Sequence, residues 1–258
     1  SSSSTPIVSG IAALLLEANP NLTWREVKHI LATTARQLDP GLADNIKSFG
    51  GKAVTLEKGW IINKAEDEDG PYHFSNRYGF GSPDGEAAIT MAKEWKASNK
   101  TLPAFKETAA ITGSLPTVRE IPDFNANGLT TNVVVNDELI AESVELIVSI
   151  DDLASVRTNS SDNKIDMSDY QIVLISPKGT ENVLLTPFNA YESGHDMNDL
   201  KLISHAFYGE AANGQWTLII RDLDQENANR TTWTDSNNNV KYELEEITND
   251  LINDVGQG

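Results

Sequence analysis

Four serines, Ser1 to Ser4, stand before Thr5-Pro6 and the apolar run Ile11-Ala12-Ala13-Leu14-Leu15-Leu16, which gives way at Asn19-Pro20. A small-residue stretch leading into such a run predicts a buried helix. Pro6 is accommodated because it falls in the first turn, where a missing N–H has no intrahelical partner to lose. A serine hydroxyl at that helix start lies beside unpaired backbone N–H groups and the positive end of the helix dipole. Those surroundings favour an oxyanion and so suit a nucleophilic serine. They equally suit a plain capping and turn segment, and serine alone does not separate the two.

The remaining chemistry-bearing residues narrow the field. Cysteine is absent, which excludes thiol catalysis, zinc-thiolate sites and a disulfide framework. The four histidines, His29, His73, His195 and His205, are scattered, and each reads as an exposed or core-satisfied residue rather than a general base. Oxygen ligands are plentiful. Asp162, Asp166 and Asp169 could converge in the loop before a strand, and Asp235-x-Asn237-x-Asn239 with Glu246 at the twelfth position imitates the spacing of a calcium loop. Val240 stands where that loop wants glycine. The ordinary alternatives are turn-forming Asp that bonds its own backbone and a solvated Asn-rich insertion. Glu66-Asp67-Glu68-Asp69 reads as a mutually repelling, mobile loop.

The elements that would position these groups fall into two parts. Thr23 with Glu26 three residues on forms a capping box leading into Val27, Ile30, Leu31 and Thr34 at helical spacing. A further helix is expected from about Asp84 to Trp95. From Ser98 to Pro116, Pro103, Gly113 and Pro116 break the pattern into a linker. Beyond it lie short alternating runs at 131–135, 143–150, 170–175, 182–185, 205–208 and 215–220, separated by Gly, Pro, Asn and Asp. They read as strands of a β-sandwich, with Trp216, Leu218 and Ile220 facing inward and Thr217 and Ile219 outward. Lys plus Arg number 11 against 12 Asp plus Glu in residues 1–105, and 9 against 26 in residues 106–258. Nearly all of the net charge of −18 therefore sits in the second part. That charge disfavours a phosphate-backbone partner, and no run approaches the roughly 18 apolar residues of a membrane span.

The opening segment resembles the nucleophile end of the subtilisin-like serine peptidases, which carry Gly-Thr-Ser-x-x-x-Pro before a small-residue helix. Counting back from Pro6 puts the nucleophile at Ser2, with Val8, Gly10 and Ala13-Leu14-Leu15 matching the helix and Ser1 standing where Thr is usual. Asn19-Pro20-Asn21-Leu22-Thr23-Trp24-Arg25-Glu26-Val27, and Phe74-Ser75-Asn76-Arg77-Tyr78-Gly79-Phe80-Gly81 with Asp84, narrow the resemblance to the kexin/furin-like branch. Asn76 replaces the usual histidine. The second part is similar to the P domain (homo B domain) of that branch: Ile121-Pro122-Asp123, Ser168-Asp169-Tyr170 through Ser176-Pro177-Lys178-Gly179-Thr180, and Phe207-Tyr208-Gly209-Glu210 with Asn213-Gly214-Gln215-Trp216-Thr217-Leu218 and Asp222. Asp169 and Asp222 match acidic positions of its pattern.

The resemblance implies an α/β subtilase remnant over residues 1–97, a linker over 98–116 and an all-β jelly-roll-like sandwich over 117–258, one strand short of the family's ending. It implies the C-terminal portion of a secreted, periplasmic or cell-surface serine endopeptidase acting on polypeptides through an acyl-enzyme on Ser2. The catalytic Asp and His would come from the upstream part of the catalytic domain, so the fragment alone should be inactive. Calcium is the expected structural cofactor, around Asp162, Asp166, Asp169 and Asp222. The alternative is a non-catalytic binding or stabilising module.

Overall fold

The computed structural model describes residues 2–65, 67–108, 111, 120–122, 124–150, 168–189, 197–223, 232–234, 240–242 and 256–257. Helix α1 (Ser4–Ala18) takes Pro6 in its first turn, and α2 (Trp24–Thr34) starts from the expected capping box: Thr23 accepts the Glu26 N–H while Glu26 accepts the Thr23 N–H. Strands β1 (Asn45–Phe49) and β2 (Lys52–Glu57) form a hairpin, β3 (Ile61–Ile62) pairs with β4 (His73–Phe74), and α3 (Gly85–Ser98) is capped by Asp84. Leu15, Leu22, Ile30, Ala88, Ala92 and Trp95 make the core of this helical part.

The expectation of a buried α1 is corrected. Of its side chains only Leu15 is buried, while Ile7, Leu14 and Leu16 are exposed. One stripe packs on α3, and although Ser4, Thr5, Ser9 and Glu17 make part of the outer surface polar, Ile7, Leu14 and Leu16 have no cover among the described residues.

After α3 come β5 (Glu120–Ile121), β6 (Leu129–Val135), β7 (Val144–Ile150), β8 (Tyr170–Ile175), β9 (Glu181–Leu185), β10 (Met197–Ser204), β11 (Gly214–Asp222), β12 (Thr232–Thr234), β13 (Val240–Tyr242) and β14 (Gly256–Gln257). One antiparallel sheet runs β6-β11-β8-β9, and β10 pairs with β7 in a second. Val148 and Ile150 of the second sheet meet Tyr170, Ile172, Leu185 and Ile220 of the first in a common core with Ile121. On β11 the expected alternation holds: Trp216 and Ile220 are buried, and Thr217 turns to the Asn132 side chain at 2.8 Å.

The strand expected at 205–208 is instead a turn. Strand β10 ends at Ser204, Tyr208 donates its N–H to His205 O and Glu210 to Phe207 O, each at 3.1 Å, and Gly209 adopts φ +79°. Apolar content misled here because the turn is buried on every side, with Ala206, Phe207 and Tyr208 all 3% exposed or less.

Candidate functional site

Ser2 lies in the turn just ahead of α1 and is exposed. The N-cap, Ser3, makes no side-chain capping bond, and the first turn carries no acidic residue. The positive end of the helix is therefore not offset by an anion beside Ser2. The described histidines are engaged elsewhere: His205 Nδ1 lies 3.0 Å from Glu142 O, His73 packs edge-on to Trp60, and His29 is buried beneath Tyr208. His195 lies outside the described residues.

The helical part and the β part meet along a polar seam. The Asn63 amide donates to Ala206 O at 3.2 Å and Tyr208 O at 2.7 Å, while its Oδ1 accepts the Tyr72 and Ala65 N–H groups. Asn76, at the position where the resemblance led one to expect histidine, donates to Val183 O at 2.7 Å, and Gln171 donates to Thr55 O at 2.7 Å. Arg25 is clamped on Glu142 by Nε and Nη2. At Gly209, a Cβ would sit 2.6 Å from the Tyr72 ring and 2.7 Å from Asp67 Oδ2, so only glycine allows the turn to press this closely on the helical part.

His29 anchors the centre of the seam. Its Nδ1 is 3.0 Å from the Tyr208 hydroxyl, and its Nε2 is 3.1 Å from Asp69 Oδ2, which also accepts from Lys100 Nζ at 2.9 Å. Burial pushes Asp69 upward, but hydrogen bonds from Lys100 and His29, reinforced by their charges, outweigh it and hold the carboxyl below its ordinary range. Burial, followed by the nearby Glu142 and Asp67 carboxylates, pushes the Tyr208 phenol up; burial and Asp67 do the same for Tyr72. Both hydroxyls keep their protons and serve as hydrogen-bond groups.

These contacts correct the reading of the acidic loop. Asp67 accepts the Tyr72 hydroxyl at 2.9 Å and the Asp69 N–H at 3.2 Å, and Glu68 pairs with Lys100. In its described part, Asp67 to Asp69, the run is bonded rather than mutually repelling. Sequence reasoning could not see the bonds to Asp69, because Lys100 and His29 lie 31 and 40 residues from it.

Of the expected metal ligands, Asp169 and Asp222 are both buried and come to neighbouring strand ends, Asp222 pairing with Tyr170 and Leu223 donating its N–H to Asp169 O at 3.0 Å. Asp162, Asp166, Asp235, Asn237, Asn239 and Glu246 lie outside the described residues. Among the described residues no three His, Asp or Glu side chains gather as a metal site, so Asp169 and Asp222 alone do not make a calcium cage. No described helix is long and apolar enough to cross a membrane.

Comparison with known proteins places this geometry. Residues 1–81 match the subtilase family and residues 154–234 the proprotein convertase P-domain. The chain thus belongs to the subtilases of the kexin-like kind, joining a subtilase segment to a P domain. It is 30% identical over 268 residues to the extracellular serine protease of Aeromonas sobria, covering 92% of this chain and 39% of that protein. Against human proprotein convertase subtilisin/kexin type 6 it is 32% identical over 220 residues, covering 85% of this chain and 19% of that protein. The chain therefore spans well under half the length of these relatives. The crystal structure of the Aeromonas sobria serine protease in complex with a chaperone superposes with a TM-score of 0.68 at 27% identity, covering 85% of this chain and 36% of that one.

Proposed function

We propose that this chain is the C-terminal portion of a secreted or periplasmic kexin-like serine endopeptidase, with Ser2 as the nucleophile. The observation that carries the reading is the placement of Ser2, exposed in the turn that opens α1 and four residues before Pro6, within a segment that matches the subtilase family. The Ser2 hydroxyl would attack the scissile carbonyl of a polypeptide, and its own backbone N–H would help hold the oxyanion. A histidine and an aspartate from the N-terminal part of the catalytic domain would take and return the proton. That part would also cover the open apolar face of α1.

In this reading residues 1–97 are the end of the catalytic domain, 98–116 the linker and 117–258 a jelly-roll-like P domain. A structural calcium ion would sit near Asp169 and Asp222, completed by Asp162 and Asp166. In the full-length protein, Ser2→Ala should abolish covalent labelling by a fluorophosphonate and lower peptidase turnover by a factor of about 10³ or more. Labelling that survives the substitution would remove Ser2 from the mechanism and favour the non-catalytic module.

A further inference from the structure

Along α2 lies a cleft of about 380 Å³. Val8 of α1, Trp24, Val27 and Leu31 of α2, and Phe80 and Pro83 of the loop before α3 line it, so apolar residues from three segments converge on one space. Trp24 is 69% exposed although it lines the cleft, an uncommon setting for so large an apolar side chain.

One lining residue is a cation. Lys28 is half-buried, and its ammonium lies 5.5 Å from the centre of the Tyr208 ring. Phe80 packs edge-on against that same ring at 5.6 Å, so the charge and an apolar wall of the cleft share a neighbour. None of the ion pairs among the described residues involves Lys28. The acid that acts on it, Glu142, is taken by Arg25, which stands one turn earlier on α2 and clamps it through Nε and Nη2. Burial holds the Lys28 ammonium below its usual range; Glu142 draws it back up and Arg25 pushes it further down. A partly desolvated cation without a partner gains from an anion brought beside it.

Size and charge define the ligand. Small-molecule pockets hold about 300–1,000 Å³, whereas a standard protein interface covers about 800 Å² of each partner. The cleft therefore suits a small molecule rather than the surface of a folded protein. A single unpaired cation suits a monoanion. A carboxylate carries one charge, while a phosphate monoester carries about −1.5 to −2 at neutral pH. The remaining walls offer only apolar contact, which rewards an apolar body and leaves a polar one unbonded.

We propose that this cleft binds a small carboxylate with an apolar body, the carboxylate on the Lys28 ammonium and the body among Trp24, Leu31 and Phe80. The test is calorimetric titration of the full-length protein with octanoate and with octanamide, which keeps the chain and loses the charge. Octanoate should bind once per chain and about tenfold or more tighter than octanamide. Lys28→Met, which keeps the apolar stem, should bring octanoate down to the octanamide level and leave octanamide binding as it was, showing that the cleft itself is intact. Wild-type crystals soaked in 8-bromooctanoate should show an anomalous bromine peak in the cleft, a result independent of whether the variant folds. Equal binding of octanoate and octanamide, a preference for octanoate retained in Lys28→Met, or a cleft closed by another segment of the full-length chain with no bromine peak would each overturn the site.

Discussion

The first hundred residues present two surfaces that differ in kind, the outer side of α1 and their half of the seam under Tyr208. On α1 the exposed large side chains are Ile7 and Leu14 on one flank and Leu16 on the other, with no described residue laid over them. At the seam, Asn63, His29, Asp69 and Tyr208 are bonded to partners drawn from both parts of the chain, and the rings of Tyr72 and Tyr208 meet edge-on at 5.0 Å. An apolar face can wait for any surface of the right shape. A polar seam is stable only when each donor meets its own acceptor. The contrast teaches which neighbour is already in place: the β domain completes the seam, while no described residue covers the large side chains of α1.

The largest expected effect tests whether the seam is as complete as it looks. Asn63→Leu keeps a similar volume but leaves the Ala206 and Tyr208 carbonyls and the Tyr72 N–H without their partner. Each orphaned buried group costs about 1–3 kcal/mol, so the total loss should reach about 3 kcal/mol or more. Denaturant unfolding at unchanged m-value would measure it. A loss under about 1 kcal/mol would mean the two parts hold together without this bridge.

A smaller effect separates charge from packing at the same seam. Asp69 has a depressed folded-state pKa, so its contribution is fully present above its ordinary value of about 3.9 and is lost as pH falls through the lower folded value. Asp69→Asn should therefore cost about 1–2 kcal/mol near neutrality, where Lys100 and His29 lose a charged acceptor. The gap to the parent should narrow below about pH 4. A gap unchanged down to pH 2 would make the aspartate a packing residue.

Local signals were legible and distant ones were not. The Thr23–Glu26 box, the start of α3 at Asp84 and the alternation of β6 and β7 all depend on residues within a few positions of each other, and each appears where its spacing placed it, whereas β8 is buried along nearly its whole length. The β1–β2 hairpin carries a local signal too, Gly50-Gly51 between two strands, though no expectation was formed there. Asn63 has no such mark, since two of its partners lie 143 and 145 residues away. Asp69 was misread for the same reason. Ser2, the proposed nucleophile, is marked in the sequence only by its offset from Pro6, because serine before a helix is otherwise a capping residue.

The smallest effect in this chain is the one that would break the comparison itself. Leu14 is 47% exposed on α1, and Leu and Gln are both good helix formers, so Leu14→Gln should change the stability of the 258-residue chain by less than about 0.5 kcal/mol. In the full-length protein, if the rest of the catalytic domain covers that face, the same substitution buries an amide where a methyl pair belonged and should cost about 2–4 kcal/mol. The informative quantity is the difference between the two measurements. Equal small costs in both contexts would leave the α1 face open to water in the longer protein, and the contrast between a completed seam and a face awaiting its cover would fail. An equally large cost in the short chain would place Leu14 in a core that the exposure of its side chain contradicts.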